Sequence, residues 1–426
     1  MASRVGGMES AGPEHRARTG PDDTEVKAPV DSVMTPQADS GPRRRTRRLV
    51  AVGLVAAGAL LAACSSSSSP ATTTVPPGGV KAPGNSSYLT ADLNAPAGAL
   101  TAAGSTFVQP FFSVAFHDYT AKNQGLQVNY SGVGSGNGIT DFEQGTVNFA
   151  ASDVPMSSSD LAKVPAASGP VVQIPDILGG VSISYNLPGV STRVRLDGAT
   201  LAGIFDGTIK TWNASQITAL NPGVTLPPNA IVPEVRADSS GTTYIFSDYL
   251  AKAAGSTWTL GTSKTITWPS SAVATPKNSG VAGSIQSTPY SIGYVELAYA
   301  IQNHFTYAAV KNAAGSYVIP SLATVGADAD QRTNVSPTDF SIVNEPGATS
   351  YPISGYSWAI LLQKQTSATT GAGVVKVLDW TTSTGGGQDL AAALSYVKLP
   401  PAVQNQNRTT LLTVTGPSGQ VLLTKS

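Results

Sequence analysis

From about residue 100 onward, hydrophobic and polar positions follow two periodicities that take turns along the chain. Leu126-Gln127-Val128-Asn129-Tyr130 alternates with period two, as a strand with one buried face does. Residues 171–174 and Val181-Ser182-Ile183-Ser184-Tyr185 predict further strands, with Gly179-Gly180 between them. Residues 200–205, 244–254 and 373–380 carry helical patterning. Strands alternating with helices predict parallel sheets covered on both faces. In such folds ligands sit beyond the carboxyl ends of strands, in loops that lead into helices. No repeat of fixed period is present.

Before residue 100 the pattern is different. Arg43-Arg44-Arg45-Thr46-Arg47-Arg48 precedes an uncharged run over residues 49–63. That length suits the apolar region of an export signal and is short of the ~20 residues a membrane-spanning helix needs. The run ends Leu61-Ala62-Ala63-Cys64, which resembles a lipobox whose cysteine is lipidated and becomes the mature N-terminus. Thr46-Arg47-Arg48-Leu49-Val50 faintly resembles a twin-arginine export signal, and Met34 is well placed as an alternative start. Residues 65–96 are rich in Ser, Thr, Pro and Gly without a hydrophobic period, and read as a flexible tether. The expected organisation is 1–63 extension and lipoprotein signal, then 64–96 tether, then a globular region.

Composition narrows the function. Among 426 residues, 26 acids balance 26 bases, which argues against nucleic acid as a partner. Nine of those bases and seven acids lie in residues 1–48, leaving 17 bases and 19 acids from residue 65 on. An anion site would therefore have to be built locally. Cys64 is the single cysteine, so no internal disulfide is possible.

Four loop segments carry candidate chemistry. Gly104-Ser105-Thr106-Phe107, Gly132-Val133-Gly134-Ser135-Gly136-Asn137-Gly138 and Arg236-Ala237-Asp238-Ser239-Ser240-Gly241-Thr242-Thr243 each lead into a helical stretch. Ala151-Ser152-Asp153 ends a short strand. Helix N-termini present unpaired N–H groups and partial positive charge, so they hold anions without formal cations. Glycine permits close backbone approach and Ser/Thr add donors. Arg236 supplies one fixed cation with a fork suited to tetrahedral oxyanions. The dinucleotide fingerprint fails because Asn137 replaces its third glycine, and a nucleophile elbow at Ser135 fails because Val133 replaces its first. No nucleotide P-loop occurs. His15, His117 and His304 match no metal spacing, so neither metal nor cofactor is expected.

Together with Gly207-Thr208-Ile209-Lys210-Thr211-Trp212, Asn221-Pro222-Gly223 and Ile292-Gly293-Tyr294-Val295-Glu296, these segments resemble the phosphate-binding protein of the phosphate-specific (Pst) ABC importer, the PstS family. The resemblance runs in order over about residues 98–410. It implies an α/β, two-lobed periplasmic-binding-protein-like fold (type II), each lobe a mixed sheet flanked by helices, with a hinge of two crossover strands. Lobe I would comprise 97–177 and 352–426, and lobe II 178–351, with crossovers near Leu178-Gly179-Gly180 and Tyr351-Pro352-Ile353. It further implies phosphate ligation by the Thr106 hydroxyl and amide, the Phe107 amide, Ser135, Asp153, Arg236, Ser240, the Gly241 amide and Thr242, with Asp238 orienting Arg236. Ser239 departs from the family, which often has glycine there. If the position needs a positive φ, serine carries a modest cost.

Asp153 has a physical role independent of the family. A carboxylate facing an oxyanion is repulsive unless the ligand has a proton to donate. Phosphate keeps one at neutral pH and sulfate does not, so Asp153 would reject sulfate by setting two acceptors face to face. Molybdate and tungstate, the ligands of other same-fold binders, lack that proton too. The competing reading of Asp153 is a helix N-cap before Val154-Pro155. A secreted phosphatase using Ser135 or Ser240 as nucleophile is the enzymatic alternative, but neither has a paired base in the pattern. The expectation is a non-catalytic, monomeric component of an importer, lipid-anchored through Cys64 at the outer face of the cytoplasmic membrane. It would deliver inorganic phosphate to a permease and its ATPase.

Overall fold

The computed structural model describes residues 95–424. Cys64, the export segment and the tether up to residue 94 lie outside the described residues. The first half of the chain builds β1 (Gly98–Gly104), α1 (Gln109–Lys122), β2 (Leu126–Gly132), α2 (Ser135–Glu143), β3 (Phe149–Ser152), α3 (Ser158–Leu161) and β4 (Val171–Asn186). Then come β5 (Arg195–Leu196), α4 (Gly198–Phe205), α5 (Ser215–Leu220), β6 (Val232–Arg236), α6 (Gly241–Ala254), β7 (Val273–Thr275), α7 (Lys277–Ser287), β8 (Ser291–Glu296) and α8 (Leu297–Gln302). The chain closes with β9 (Thr306–Tyr307), β10 (Ala309–Lys311), β11 (Tyr317–Val318), α9 (Leu322–Ala329), β12 (Ser354–Leu362), α10 (Ala368–Thr381) and α11 (Pro401–Leu411).

The predicted strand at 126–130 lies in β2, and the three predicted helical stretches lie in α4, α6 and α10. Local chemistry sets their ends. Asp197, Ser240, Ser321 and Ser367 each accept from a backbone N–H three residues on, capping α4, α6, α9 and α10. Helix α1 buries Phe111, Phe112, Ala115, Phe116 and Tyr119, the i, i+4, i+8 stripe of a helix lying on a sheet.

The main sheet has nine strands in the order β2-β1-β3-β12-β4-β8-β6-β7, with β9 also on β4; β11-β10-β5 form a small second sheet. One expectation is corrected here. The two strands predicted around Gly179-Gly180 are one continuous β4 of sixteen residues. A glycine pair usually punctuates a strand, but here it permits close contact. A Cβ at Gly179 would stand 2.6 Å from the Phe107 ring, and one at Gly180 would stand 2.7 Å from Val325.

Strand β4 changes partner at that pair. Its residues 171–180 run antiparallel to β12 and its residues 181–186 run antiparallel to β8. On one side β1, β2 and β3 are parallel; on the other β6, β7 and β8 are parallel. Chain crossing occurs through β4, and the return lies just before β12. One apolar cluster, from Leu100 and Phe111 through Phe246 and Tyr294 to Trp380, runs under both halves. Among the described residues, no helix is long and apolar enough to cross a membrane.

Candidate functional site

Five of these parallel strands end at one place. Strand β1 leads to Ser105-Thr106-Phe107, β2 to Ser135, β3 to Asp153, β6 to Arg236 and the start of α6, and β7 to the start of α7. Thr106, Ser135, Asp153, Arg236, Ser240 and Thr242 are all buried. The predicted polar residues thus converge, as the rule for carboxyl ends of strands requires.

The loop after β1 is held by its carbonyls. Tyr130 donates to the carbonyl of Ser105 at 2.7 Å, Tyr299 to that of Thr106 at 2.7 Å and Tyr396 to that of Phe107 at 2.6 Å. Three buried hydroxyls therefore pin three consecutive peptides. The amide of Phe107 differs from expectation, because it donates to Ser105 Oγ at 2.9 Å.

Asp153 lies just past β3 and is not a helix cap; α3 starts later and is capped by Ser157. Its carboxylate accepts from Ser105 Oγ at 2.5 Å and from Ser135 Oγ at 3.4 Å, while its N–H donates to Ser135 Oγ at 3.2 Å. Burial pushes Asp153 up to about 7, against the pull of Ser105, Arg236 and Ser135 toward ionisation. Asp176 and Glu296, also buried, are raised well above the carboxylate range by burial first and by the charge of Asp153 in addition. The structure also sets a carboxylate beside Ser135 that sequence spacing did not reveal.

Arg236 comes from the opposite half of the sheet. Its Nε donates to Asp238 Oδ1 at 2.7 Å and Nη2 to Oδ2 at 2.5 Å, a two-point fork that leaves Nη1 directed at Thr242 Oγ1, 3.4 Å away. Burial alone would raise Asp238; the fork outweighs it, and the carboxyl titrates below its ordinary range. Behind Arg236, Tyr294 accepts from its backbone N–H at 3.1 Å and pairs with Thr243 Oγ1 at 2.8 Å. Tyr294 is itself fixed by stacking on Phe246, with ring centres 4.6 Å apart.

Ser240 accepts from the Thr243 N–H at 3.1 Å, so its hydroxyl proton is left to donate elsewhere. Gly241 opens α6 where the halves meet. A Cβ there would stand 2.5 Å from both Cβ and Oδ2 of Asp153 and 2.7 Å from Ser135 Oγ, so only glycine admits this approach. The Gly136 N–H donates to the Ser239 carbonyl at 3.0 Å, a second contact across the halves. Ser239 is not among the residues with positive φ, so the position imposes no left-handed strain on serine.

Two members were missed from sequence. Ser105 belongs to a loop singled out there, but its bridge from Asp153 to the Phe107 amide was not foreseen. Asn278, the second residue of α7, donates from Nδ2 to Thr106 Oγ1 at 2.9 Å and to Thr242 Oγ1 at 3.1 Å. The signal for it was a polar, glycine-containing helix start, Asn278-Ser279-Gly280, after a strand of only three residues. Cys64 lies outside the described residues. Among the described residues no group of His, Cys, Asp and Glu is arranged to hold a metal ion. The arrangement can surround a compact anion with hydroxyl and guanidinium donors and oppose it with one titratable carboxyl.

A family model described as a PBP superfamily domain matches residues 57–384. The phosphate-binding protein PstS of Xylella fastidiosa (strain 9a5c) is 37% identical over 334 residues, covering 77% of this chain and 89% of that protein. PstS of Haemophilus influenzae is 36% identical over 314 residues, covering 72% and 91%. A crystal structure of a phosphate-binding protein from Stenotrophomonas maltophilia superposes with a TM-score of 0.60 over 74% of this chain and 94% of that one; at 23% identity this speaks to the fold. The chain belongs to the PstS family of phosphate-binding proteins, within the PBP superfamily.

Proposed function

We propose that this chain is the extracytoplasmic substrate-binding component of an ABC importer, which captures inorganic phosphate and hands it to a membrane permease driven by an ATPase. The observation that carries the reading is the pairing of a buried Arg236, forked onto a half-buried Asp238, with a buried Asp153 across a ring of hydroxyl donors. Thr106, Arg236, Ser240, the Gly241 amide and Thr242 are the ligand's donors; Ser135 joins them by turning its proton from Asp153 to the ligand, and the Phe107 amide acts through Ser105 in this arrangement. Asp153 shares a proton with the ligand. Its titration near neutrality supports that role, because a carboxyl poised there exchanges a proton with HPO4 or H2PO4 at little cost. Phosphate would be held between two lobes, 97–177 with 352–426 and 178–351, that close about the crossing at Gly179-Gly180 and the return at 351–353.

The function is binding without catalysis. Ser240 caps a helix, Ser135 meets the Asp153 carboxylate only at 3.4 Å while receiving the Asp153 amide, and no histidine hydrogen-bonds either hydroxyl among the described residues. The protein acts as a monomer, anchored through a lipid on Cys64 and exported by the signal before it. Isothermal calorimetry of the full chain with phosphate should show saturable, single-site binding, and no heat on phosphate addition would overturn the reading. Labelled fatty acid fed to expressing cells should enter the protein and be lost in Cys64→Ser.

A further inference from the structure

Every hydroxyl in an anion site faces a choice that the backbone does not settle. It holds one proton and two lone pairs, and a free rotor can offer either to a ligand. We propose that Asn278 is a positioning residue that settles this choice for Thr106 and Thr242, filling their acceptor positions so that both hydroxyls present only protons to the anion. The proposal rests on the anion-binding reading above and deepens it.

The geometry is closed on all sides. Thr106 Oγ1 receives two donors from Asn278, its Nδ2 at 2.9 Å and its backbone N–H at 3.2 Å. Thr242 Oγ1 receives Asn278 Nδ2 at 3.1 Å and Arg236 Nη1 at 3.4 Å. Both lone pairs on each oxygen are thereby engaged, and the remaining proton points away from these donors. The amide is not free to flip. Asn278 Oδ1 accepts the Glu296 N–H at 3.0 Å, and a backbone N–H can only donate, so the side-chain nitrogen must face the threonines.

The start of α7 is held for this purpose. Lys277 adopts a left-handed φ of 68°, uncommon for a side chain of its length, and its N–H donates to Asp238 Oδ1 at 3.0 Å. Asn278 is therefore anchored to the same carboxylate that orients Arg236. Thr106 comes from the β1 side of the sheet and Thr242 from the β6 side. The Asn278 bonds join the halves and set donor polarity together, so the hydroxyls are committed as donors where the halves meet.

A purely structural latch and a polarity-setting residue differ in coupling. Phosphate affinity would be measured by calorimetry on the full chain, on Asn278→Ala, on the pair Thr106→Val with Thr242→Val, and on all three substitutions together. Asn278→Ala should weaken binding about 10- to 100-fold in the natural background and less than about twofold once the hydroxyls are gone. Equal losses in both backgrounds, or no loss in the natural one, would overturn the proposal. Should Asn278→Ala fail to fold, the near-isosteric Asn278→Asp serves instead. Its carboxylate turns both hydroxyls toward itself, so its loss must be larger with the threonines than without them; the valine background subtracts its direct repulsion of phosphate. Equal losses there would again overturn the proposal. Absence of phosphate binding by the unsubstituted chain would instead remove the functional reading, and this inference with it.

Discussion

The two sides of the site are built from similar strand-to-helix loops, yet they do different chemistry. The β6 side offers donors only: a guanidinium already paired with Asp238, a capping serine with its proton free, and Thr242. The β1–β3 side offers hydroxyls too, but two of them, Ser105 and Ser135, are turned onto Asp153. With the proposed ligand, one side would attract any small oxyanion and the other would count its protons. The net charge in the site stays near zero, because the Arg236 cation is matched by Asp238 and Asp153 titrates near neutrality. Discrimination by the proposed site would therefore come from hydrogen-bond polarity and not from field strength.

The contrast between the two sides depends most on Arg236. Arg236→Ala strands Asp238 and removes the directed Nη1 donor, which should cost on the order of 4 kcal/mol, a roughly thousandfold rise in phosphate Kd by calorimetry. A small change would mean the hydroxyls alone carry the anion. On the proton-counting side, Asp153→Asn should raise sulfate affinity about 100-fold at about pH 9, where the parent carboxyl is ionised, while leaving phosphate binding measurable. If the variant still ignores sulfate in a competition titration, the carboxylate does not do the rejecting.

The same variant has a pH signature. Asp153 in the unfolded chain loses its proton above its ordinary 3.8, but in the folded, ligand-free protein only above about 7. Between those values the folded state holds the extra proton, so stability falls as pH rises through that window and stays low above it. Asp153→Asn removes this loss. It should be more stable than the parent by about 2–4 kcal/mol at about pH 8, with the advantage fading toward about pH 4, in denaturant melts. An advantage independent of pH would contradict the assignment.

Gly241→Ala sharpens where the sides touch. The added methyl meets Asp153 and Ser135 at 2.5 and 2.7 Å, so closure is impeded and phosphate affinity should fall about tenfold. Ser239→Gly should do least, because Ser239 lacks a positive φ. Phosphate affinity should not change, and stability should drop by no more than about 1 kcal/mol from added backbone freedom in the unfolded chain.

Much of the site was legible because its signals are local. Gly, Ser and Thr placed between a strand and a helix suggest an anion-holding turn, and Thr106, Ser135, Ser240 and Thr242, which the fold brings together, were singled out that way. Asp153 was legible as a carboxylate at a strand end. What could not be read depends on contacts far along the chain. Asn278 meets Thr106 across 172 positions, after a strand too short to show a period. The tyrosines that pin the first loop lie at 130, 299 and 396, each looking locally like an ordinary core residue. Gly179-Gly180 misled for the same reason, since only Phe107 and Val325 reveal why β4 needs glycine inside an unbroken strand.

The proposed site should accept an oxyanion only when a proton can be shared with Asp153. Titrating phosphate into the full chain at about pH 9, where Asp153 is ionised and phosphate still keeps one proton, with and without about a 100-fold excess of sulfate over phosphate, tests it directly. The phosphate Kd should stay unchanged to within about twofold. An apparent Kd that climbs in proportion to sulfate would contradict it.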